Sequence, residues 1–148
     1  SIITHYLLSL CQSNDSLTTL QLANCDLNLS TIVAISTSLA SNVNVTSLNL
    51  DRPILSTKQE ESADHLSRVL GYHPTLQSLS LRHGRISCHG CLLFSQELVT
   101  NTSLLSLNLE WYDYYPYVIF FSIIIEQHSH VITVMLLVLR VPRPWHPI

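Results

Sequence analysis

Glycine and charge are both scarce in this sequence, and each shortage excludes a class of function. The 148 residues include only three glycines, and no glycine-rich loop of the kind that cradles phosphate groups is present. Charged residues make up 11% of the chain, well below the level usual in soluble domains. The net charge is −3, so the chain lacks the basic surface that nucleic-acid binding requires. We therefore expect no nucleic-acid partner.

Sequence signatures of catalysis are also missing. No serine lies in a nucleophile-elbow pattern. The eight histidines are scattered, and none has a carboxylate at a spacing that suggests a catalytic pair. We therefore expect a protein that is not an enzyme, with no cofactor and no small-molecule substrate.

Four cysteines are too few and too scattered to predict a disulfide framework. Cys11 and Cys25 are predicted to be small buried apolar residues. Residues 88–91 read Cys-His-Gly-Cys, which offers two zinc ligands, whereas a structural zinc site needs four. His73 or His83 would have to complete such a site. We prefer the interpretation that both cysteines are ordinary small residues at a turn and a helix start, with no bound metal.

A repeated pattern of apolar residues organises the rest of the chain. In residues 76–86 the apolar positions are the first, fourth, sixth and eleventh. Residues 17–27 and 45–55 match at every one of these positions, and residues 104–112 begin a fourth copy that is not completed. The copies start 28, 31 and 28 residues apart. Such a period predicts a stack of similar structural units.

Each repeat also contains a helical signal between its apolar strands. Pairs of apolar residues four positions apart precede successive strands at the same offset, which marks one face of a helix. The central Leu-x-Leu of each strand directs two side chains to one face. Each unit therefore predicts a strand, a turn and a helix, and stacked units bury a continuous core. Ser62 is predicted to cap the third helix.

This pattern resembles the leucine-rich repeat, and the long period with a helical second half resembles the ribonuclease-inhibitor type. The resemblance covers about residues 1–112, roughly three and a half repeats. It implies an α/β solenoid with short parallel strands on the concave side and helices on the convex side. The Asn/Cys position of the motif holds Cys25, Pro53, Gly84 and Tyr112, so only the first keeps a family residue. Relatives of this type are inhibitors, GTPase activators and innate sensors, so the resemblance does not choose among functions.

The concave face is the predicted binding surface for a protein partner, since residues between the leucines point outward from it. The middles of the strands are small and polar, and larger polar residues follow the strand ends. Arginine and tryptophan are enriched in binding hot spots. The predicted contact residues are Asp51, Arg52, Arg82, His83, Glu110 and Trp111. The alternative is a solvated face with mutual ion pairs, such as Asp51 with Arg82.

Residues 113–148 depart from the repeat and are predicted to form a separate apolar, then proline-rich, tail. Residues 117–125 and 131–139 are apolar and are separated by a polar stretch. They could form a membrane-spanning helix that anchors the protein, or two strands that pair with the last repeat strand. A third interpretation is a splice variant without a function of its own. We favour this third origin, with strands as the conformation that results.

The compartment is predicted to be the cytoplasm or the nucleus. The chain begins with serine inside a predicted helix, so we expect a fragment or shortened form of a longer array, and no signal peptide is visible. Four Asn-x-Ser/Thr sequences, at residues 14, 28, 44 and 101, point instead to secretion. Two of them occupy the same turn position of the repeat, where asparagine suits the backbone, and this explanation is preferred.

Overall fold

A computed structural model describes residues 2–13, 15–54, 60–109, 111–112, 117–126 and 131–140. Helices and strands alternate along the repeats. The helices are α1 (Ile2–Ser13), α2 (Leu29–Leu39), α3 (Glu60–Tyr72) and α4 (Cys88–Leu98). The strands between and after them are β1 (Thr19–Gln21), β2 (Ser47–Asn49), β3 (Ser78–Ser80) and β4 (Ser106–Asn108).

The four repeat strands form one parallel sheet in the order in which they occur in the sequence. Their central leucines are in register, because Leu48 pairs with Leu20 on one side and with Leu79 on the other, and Leu79 pairs with Leu107. Consecutive helices also pack against one another: α1 packs on α2, α2 on α3 and α3 on α4. This arrangement confirms the predicted α/β solenoid.

The core lies between the sheet and the helices, where the sequence pattern placed it. The middle residue of each strand is buried and its neighbours are more exposed, as strand alternation requires. In three of the four predicted apolar helix pairs both residues are at most 2% exposed, namely Ile35/Leu39, Leu66/Leu70 and Phe94/Leu98. In the first pair Cys11 is 1% exposed and Leu7 is partly buried. Full burial of such a side chain stabilises the fold by roughly 1.5–3 kcal/mol.

Side-chain caps define the starts of two helices. Asn28 precedes α2 and accepts a hydrogen bond from the Thr31 amide at 2.9 Å, and Ser87 precedes α4 and accepts one from the Gly90 amide at 3.1 Å. The prediction that Ser62 caps α3 was wrong, because α3 begins at Glu60 and Ser62 is buried inside it. Hydroxyl-rich sequence indicated a cap but could not set the position at which the helix begins.

The two cysteine predictions have different outcomes. Cys11 is 1% exposed, and burial raises the pKa of its thiol, so it behaves as the small apolar residue expected. The prediction that Cys25 is buried was wrong, since this residue is exposed. It lies between Asn24 and Asp26, which both have left-handed backbones, and its sulfur contacts the Ala23 carbonyl of the same turn at 3.5 Å. The turn therefore holds Cys25 away from the core.

The end of the fourth repeat and the tail form strands that continue the sheet. These are β5 (Trp111–Tyr112), β6 (Tyr117–Glu126) and β7 (Val131–Arg140). β6 is antiparallel to β4 and to β5, and both pair with it in one continuous register. β7 pairs with β6 along ten residues of each strand. Residues 117–126 and 131–140 therefore form two paired strands, the first of which lies on the last repeat strand. The division of the chain into two domains at residue 112 stays a prediction.

The membrane-helix interpretation of the tail does not describe this arrangement. Within the ranges that the structure describes, no helix combines the length and apolar character needed to cross a membrane.

Polar side chains at one repeat position hold the helix-to-strand turns, and two of them also bond the neighbouring helix. Asn42 donates from Nδ2 to the Cys11 carbonyl at 2.8 Å, and Asn101 donates to the Leu70 carbonyl at 2.7 Å. His73 holds the same position in the intervening repeat. In each of these three residues, a side-chain atom accepts hydrogen bonds from the backbone amides two and three residues later in the chain, at distances of 2.7–3.4 Å. The accepting atom in His73 is Nδ1, so the imidazole must be neutral to fill this role.

We expect His73 to make the fold sensitive to acid. Burial lowers the pKa of His73, and the Asn42 backbone partly opposes this shift. The unfolded histidine titrates at about pH 6.5, so below that pH the unfolded chain binds more protons and the free energy of unfolding falls. His73→Asn, which supplies the residue of the two neighbouring turns, should remove this loss. Urea unfolding at pH 7.5 and 5.5 measures it.

The matched control for that measurement is His5→Asn, at an exposed position on α1. It should keep the parental pH dependence. Equal loss of stability in the His73→Asn and parental chains would contradict the role given to His73.

Substitution of alanine for each of two helical glycines should have opposite effects on the free energy of unfolding. A Cβ atom on Gly90 would lie 2.7 Å from Ile86 Cγ2 and 2.9 Å from Ala63 Cβ, so the approach of α4 to α3 needs glycine. A Cβ on Gly71 would meet only the carboxylate of Glu97, which can rotate away. Gly90→Ala should lower the free energy of unfolding by about 1–3 kcal/mol, and Gly71→Ala should leave it unchanged or raise it by up to about 1 kcal/mol. Denaturant unfolding followed by circular dichroism compares them, and a harmless Gly90→Ala would refute this packing account.

Candidate binding site at the carboxyl ends of the repeat strands

Backbone pairing between repeats continues beyond the strands into the turns. The Asn24 amide donates to the Asp51 carbonyl at 3.0 Å, and the Arg52 amide donates to the Arg82 carbonyl at 2.8 Å. Residues that follow adjacent strands are therefore held side by side. This pairing turns a repeated sequence position into a row of neighbouring side chains.

Each of these turns contains a residue in the left-handed backbone region. The φ values are 57° at Asn24, 53° at Arg52 and 56° at His83, at the same position of three repeats. Asparagine and histidine are enriched in this region, whereas arginine has no such preference. Conformations of this kind cost on the order of 1–3 kcal/mol when the side chain does not suit them. The turn geometry is therefore imposed by the repeat.

Asp51 links its own turn to the next one. Its Oδ1 atom accepts hydrogen bonds from the Ser80 hydroxyl at 2.6 Å and from the Arg82 amide at 2.8 Å. The Asp51 amide donates to Asn49 Oδ1 at 2.9 Å. The carboxylate thus stabilises the neighbouring turn through its hydroxyl and backbone donors.

A concavity of about 200 Å³ lies where these turns meet, and it is lined by Ala23, Asn24, Asp51, Arg52, Arg82 and His83. Four of the six predicted contact residues, Asp51, Arg52, Arg82 and His83, therefore surround one space. Sequence reasoning did not select Asn24 as a contact residue. Its repeat position, shared with Arg52 and His83, was the signal that could have found it.

The structure does not test the other two predicted contact residues. Glu110 lies outside the described residues. Trp111 begins β5, and its backbone is paired with Ile119 of β6. Their contribution to a binding surface stays a prediction.

The concavity carries a different charge from the whole chain. Two arginines and one aspartate line it, which leaves one net positive charge when His83 is neutral, in a chain whose net charge is −3. Arg52 is exposed, and Arg82 and His83 are partly buried. The site can therefore attract and orient an anionic group.

The Cys-His-Gly-Cys sequence has a structural role in α4. Gly90 provides the amide for the Ser87 cap and the close approach to α3, and Cys91 is 3% exposed in the core. Among the residues that the structure describes, no group of three or more His, Cys, Asp or Glu side chains is arranged to hold a metal ion.

Arg52→Asn should stabilise the fold. Asparagine suits the left-handed region, and Arg52 is exposed, so the substitution removes little packing. We expect a gain of up to about 1 kcal/mol in the free energy of unfolding. Asn24→Ala, the matched change at the equivalent position, should lower it by a similar amount. Urea unfolding measures both, and a loss of stability in Arg52→Asn would contradict this account of the turn.

Comparisons with known proteins agree with this architecture. No family model matches the chain. Over 89 residues it is 36% identical to "Leucine-rich repeat-containing protein 34" of Mus musculus, an alignment that covers 60% of this chain and 21% of that protein. The chain thus spans about a fifth of that relative. The solved structure "Leiomodin-1 Actin-Binding Site 2 (ABS2)" superposes with a TM-score of 0.63 at 25% identity, over 73% of this chain and 64% of the other. Together with the repeat and the sheet, these similarities support a leucine-rich repeat protein.

Proposed function

We propose that this chain is a non-catalytic protein–protein interaction module that binds its partner on the concave face, at the carboxyl ends of the repeat strands. Asp51, Arg52, Arg82 and His83 provide the centre of the contact surface. Glu110 and Trp111 follow the next strand and extend it.

The observation that carries the proposal is the convergence of four side chains from two successive turns on one concavity. Paired backbones hold these turns together, so the side chains are positioned before a partner arrives. A preorganised surface loses less conformational entropy on binding. Arginine supplies both charge and several donors to such a contact.

The comparisons support a protein as the partner. The structural neighbour from leiomodin-1 is named for an actin-binding site, and the mouse relative is also a leucine-rich repeat protein. Actin is therefore the first defined partner to test. This choice follows from one neighbour's name, whereas the concave-face proposal rests on the geometry of the turns.

A double variant, Arg52→Asn with Arg82→Gln, should lose the partner. It removes both positive charges of the lining and introduces asparagine, a favourable residue, at the left-handed position 52. In affinity capture from cells with quantitative mass spectrometry, we expect the specific partner to decrease about tenfold or more, as for a hot-spot pair. Purified actin in a cosedimentation assay is the defined arm of the same experiment.

The matched control is Arg68→Gln, which removes one positive charge from the helical side, where Arg68 pairs with Asp64 at 2.9 Å. This control should capture the partner as well as the parent chain does. Equal capture by the double variant and the parent, or capture of chaperones alone, would contradict the proposal and favour a shortened product without its own binding role. Circular dichroism establishes that all three chains are folded.

A further inference from the structure

We propose that the concavity between the turns after β1, β2 and β3 receives a carboxylate side chain from an acidic segment of the protein partner. This inference rests on the proposed function, because it names the chemistry of the same surface. It adds a defined ligand group and a direction of charge that the interaction module alone does not specify.

The size of the concavity favours one side chain over a whole ligand. Its volume is about 200 Å³. Sites for drug-sized small molecules occupy roughly 300–1,000 Å³ and are mostly apolar. This concavity is smaller and is lined mainly by polar and charged residues. An aspartate or glutamate side chain at the tip of a peptide fits such a space.

The charge of the lining favours an anion. Arg52 and Arg82 both border the space, and the guanidinium group matches a carboxylate with parallel N–H donors. The one acidic residue of the lining, Asp51, already uses Oδ1 to accept the Ser80 hydroxyl and the Arg82 amide. Asp51 therefore organises the turn, and it also reduces the positive charge available to a ligand.

The backbone at Arg52 gives independent support. This residue has a φ of 53°, at the position that Asn24 occupies in the preceding repeat. Asparagine is the residue that local geometry prefers there. An arginine in its place adds a charged side chain to the border of the concavity at a conformational cost, which is the pattern seen where function overrides local preference.

A protein carboxylate fits better than a nucleic acid. Phosphate backbones require a series of basic contacts, and this chain has seven Lys and Arg residues in all with a net charge of −3. One net positive charge within a concavity suits a single carboxylate flanked by other protein contacts.

The test uses the full chain and fluorescein-labelled hexaglutamate, with hexaglutamine as the uncharged matched peptide. Fluorescence anisotropy should show binding of hexaglutamate and none of hexaglutamine. Arg52→Asn should weaken hexaglutamate binding about three- to tenfold, as expected for loss of one charge-assisted contact at a partly exposed site. Arg68→Gln, remote on α3, should leave it unchanged.

The variant Asp51→Asn is the most discriminating test of the carboxylate site. The amide oxygen can still accept from Ser80 and Arg82, while the negative charge of the lining disappears. This variant should bind hexaglutamate about three- to tenfold more tightly than the parent. A purely structural role of Asp51 would produce equal or weaker binding, so a gain supports the carboxylate site and the absence of a gain overturns it.

The outcomes separate this inference from the proposed function. If hexaglutamate fails to bind, or binds the parent and Arg52→Asn equally, the carboxylate inference is wrong, and partner capture that still depends on Arg52 and Arg82 leaves the proposed function standing. Unlabelled N-acetyl-hexaglutamate, inorganic phosphate and single-stranded DNA are compared as competitors of the labelled peptide at equal total charge. If phosphate or DNA displaces the labelled peptide as well as N-acetyl-hexaglutamate does, the site has no carboxylate preference and the inference is also wrong. If hexaglutamate binds as expected but the double variant captures every protein that the parent does, the site is real and the proposed function fails.

Discussion

In-register parallel pairing of very short strands is the constraint on which the rest of the structure depends. Each repeat strand has only three residues, but the hydrogen bonds extend to both sides of it, from the Thr46 amide on the Thr18 carbonyl to the Arg52 amide on the Arg82 carbonyl. The pairing places Leu48 directly between Leu20 and Leu79, so one register buries every central leucine. A slip by one residue would turn these side chains to the concave face. The positions of the helices, the turns and the candidate site therefore all depend on this strand pairing.

The turns at the two ends of the strands are stabilised by different groups. At the amino end, Asn42, His73 and Asn101 satisfy backbone groups that burial would otherwise leave without partners. At the carboxyl end, backbone pairing and the Asp51 carboxylate hold the turns, and side chains such as Arg52 remain exposed. We propose that the exposed side chains at the carboxyl end serve recognition. The exposed Arg52 side chain can vary, because backbone pairing and the Asp51 carboxylate hold the turns.

The sheet changes character after β4. The repeat strands are parallel and short, because each must return through a helix. In contrast, β6 and β7 are antiparallel to each other and have ten residues each. β6 pairs with β4, so the last repeat strand is not an open edge. The apolar residues of the tail match this use, since Val, Ile and Phe favour strands. Two long apolar strands also create an aggregation risk when they are unpaired, and the pairing of β6 with β4 and with β7 reduces it.

The repeat spacing by itself determined the strands, the helices and the leucine core, because alternation and helical periodicity are local properties of the chain. It also selected four residues of the concavity, since equivalent positions in stacked units become neighbours. Sequence reasoning placed Cys25 in the core and Ser62 at a helix cap, and both were wrong because left-handed turns and the start of α3 depend on tertiary contacts. For the tail it weighed a membrane helix, two strands and a splice-variant origin, and it favoured strands as the conformation, whereas only the tertiary structure decided that β6 pairs with β4. The use of the Asp51 carboxylate to hold the next turn was likewise decided by the tertiary structure, because its hydrogen bonds to Ser80 and Arg82, 29 and 31 residues away, have no local signature in the sequence.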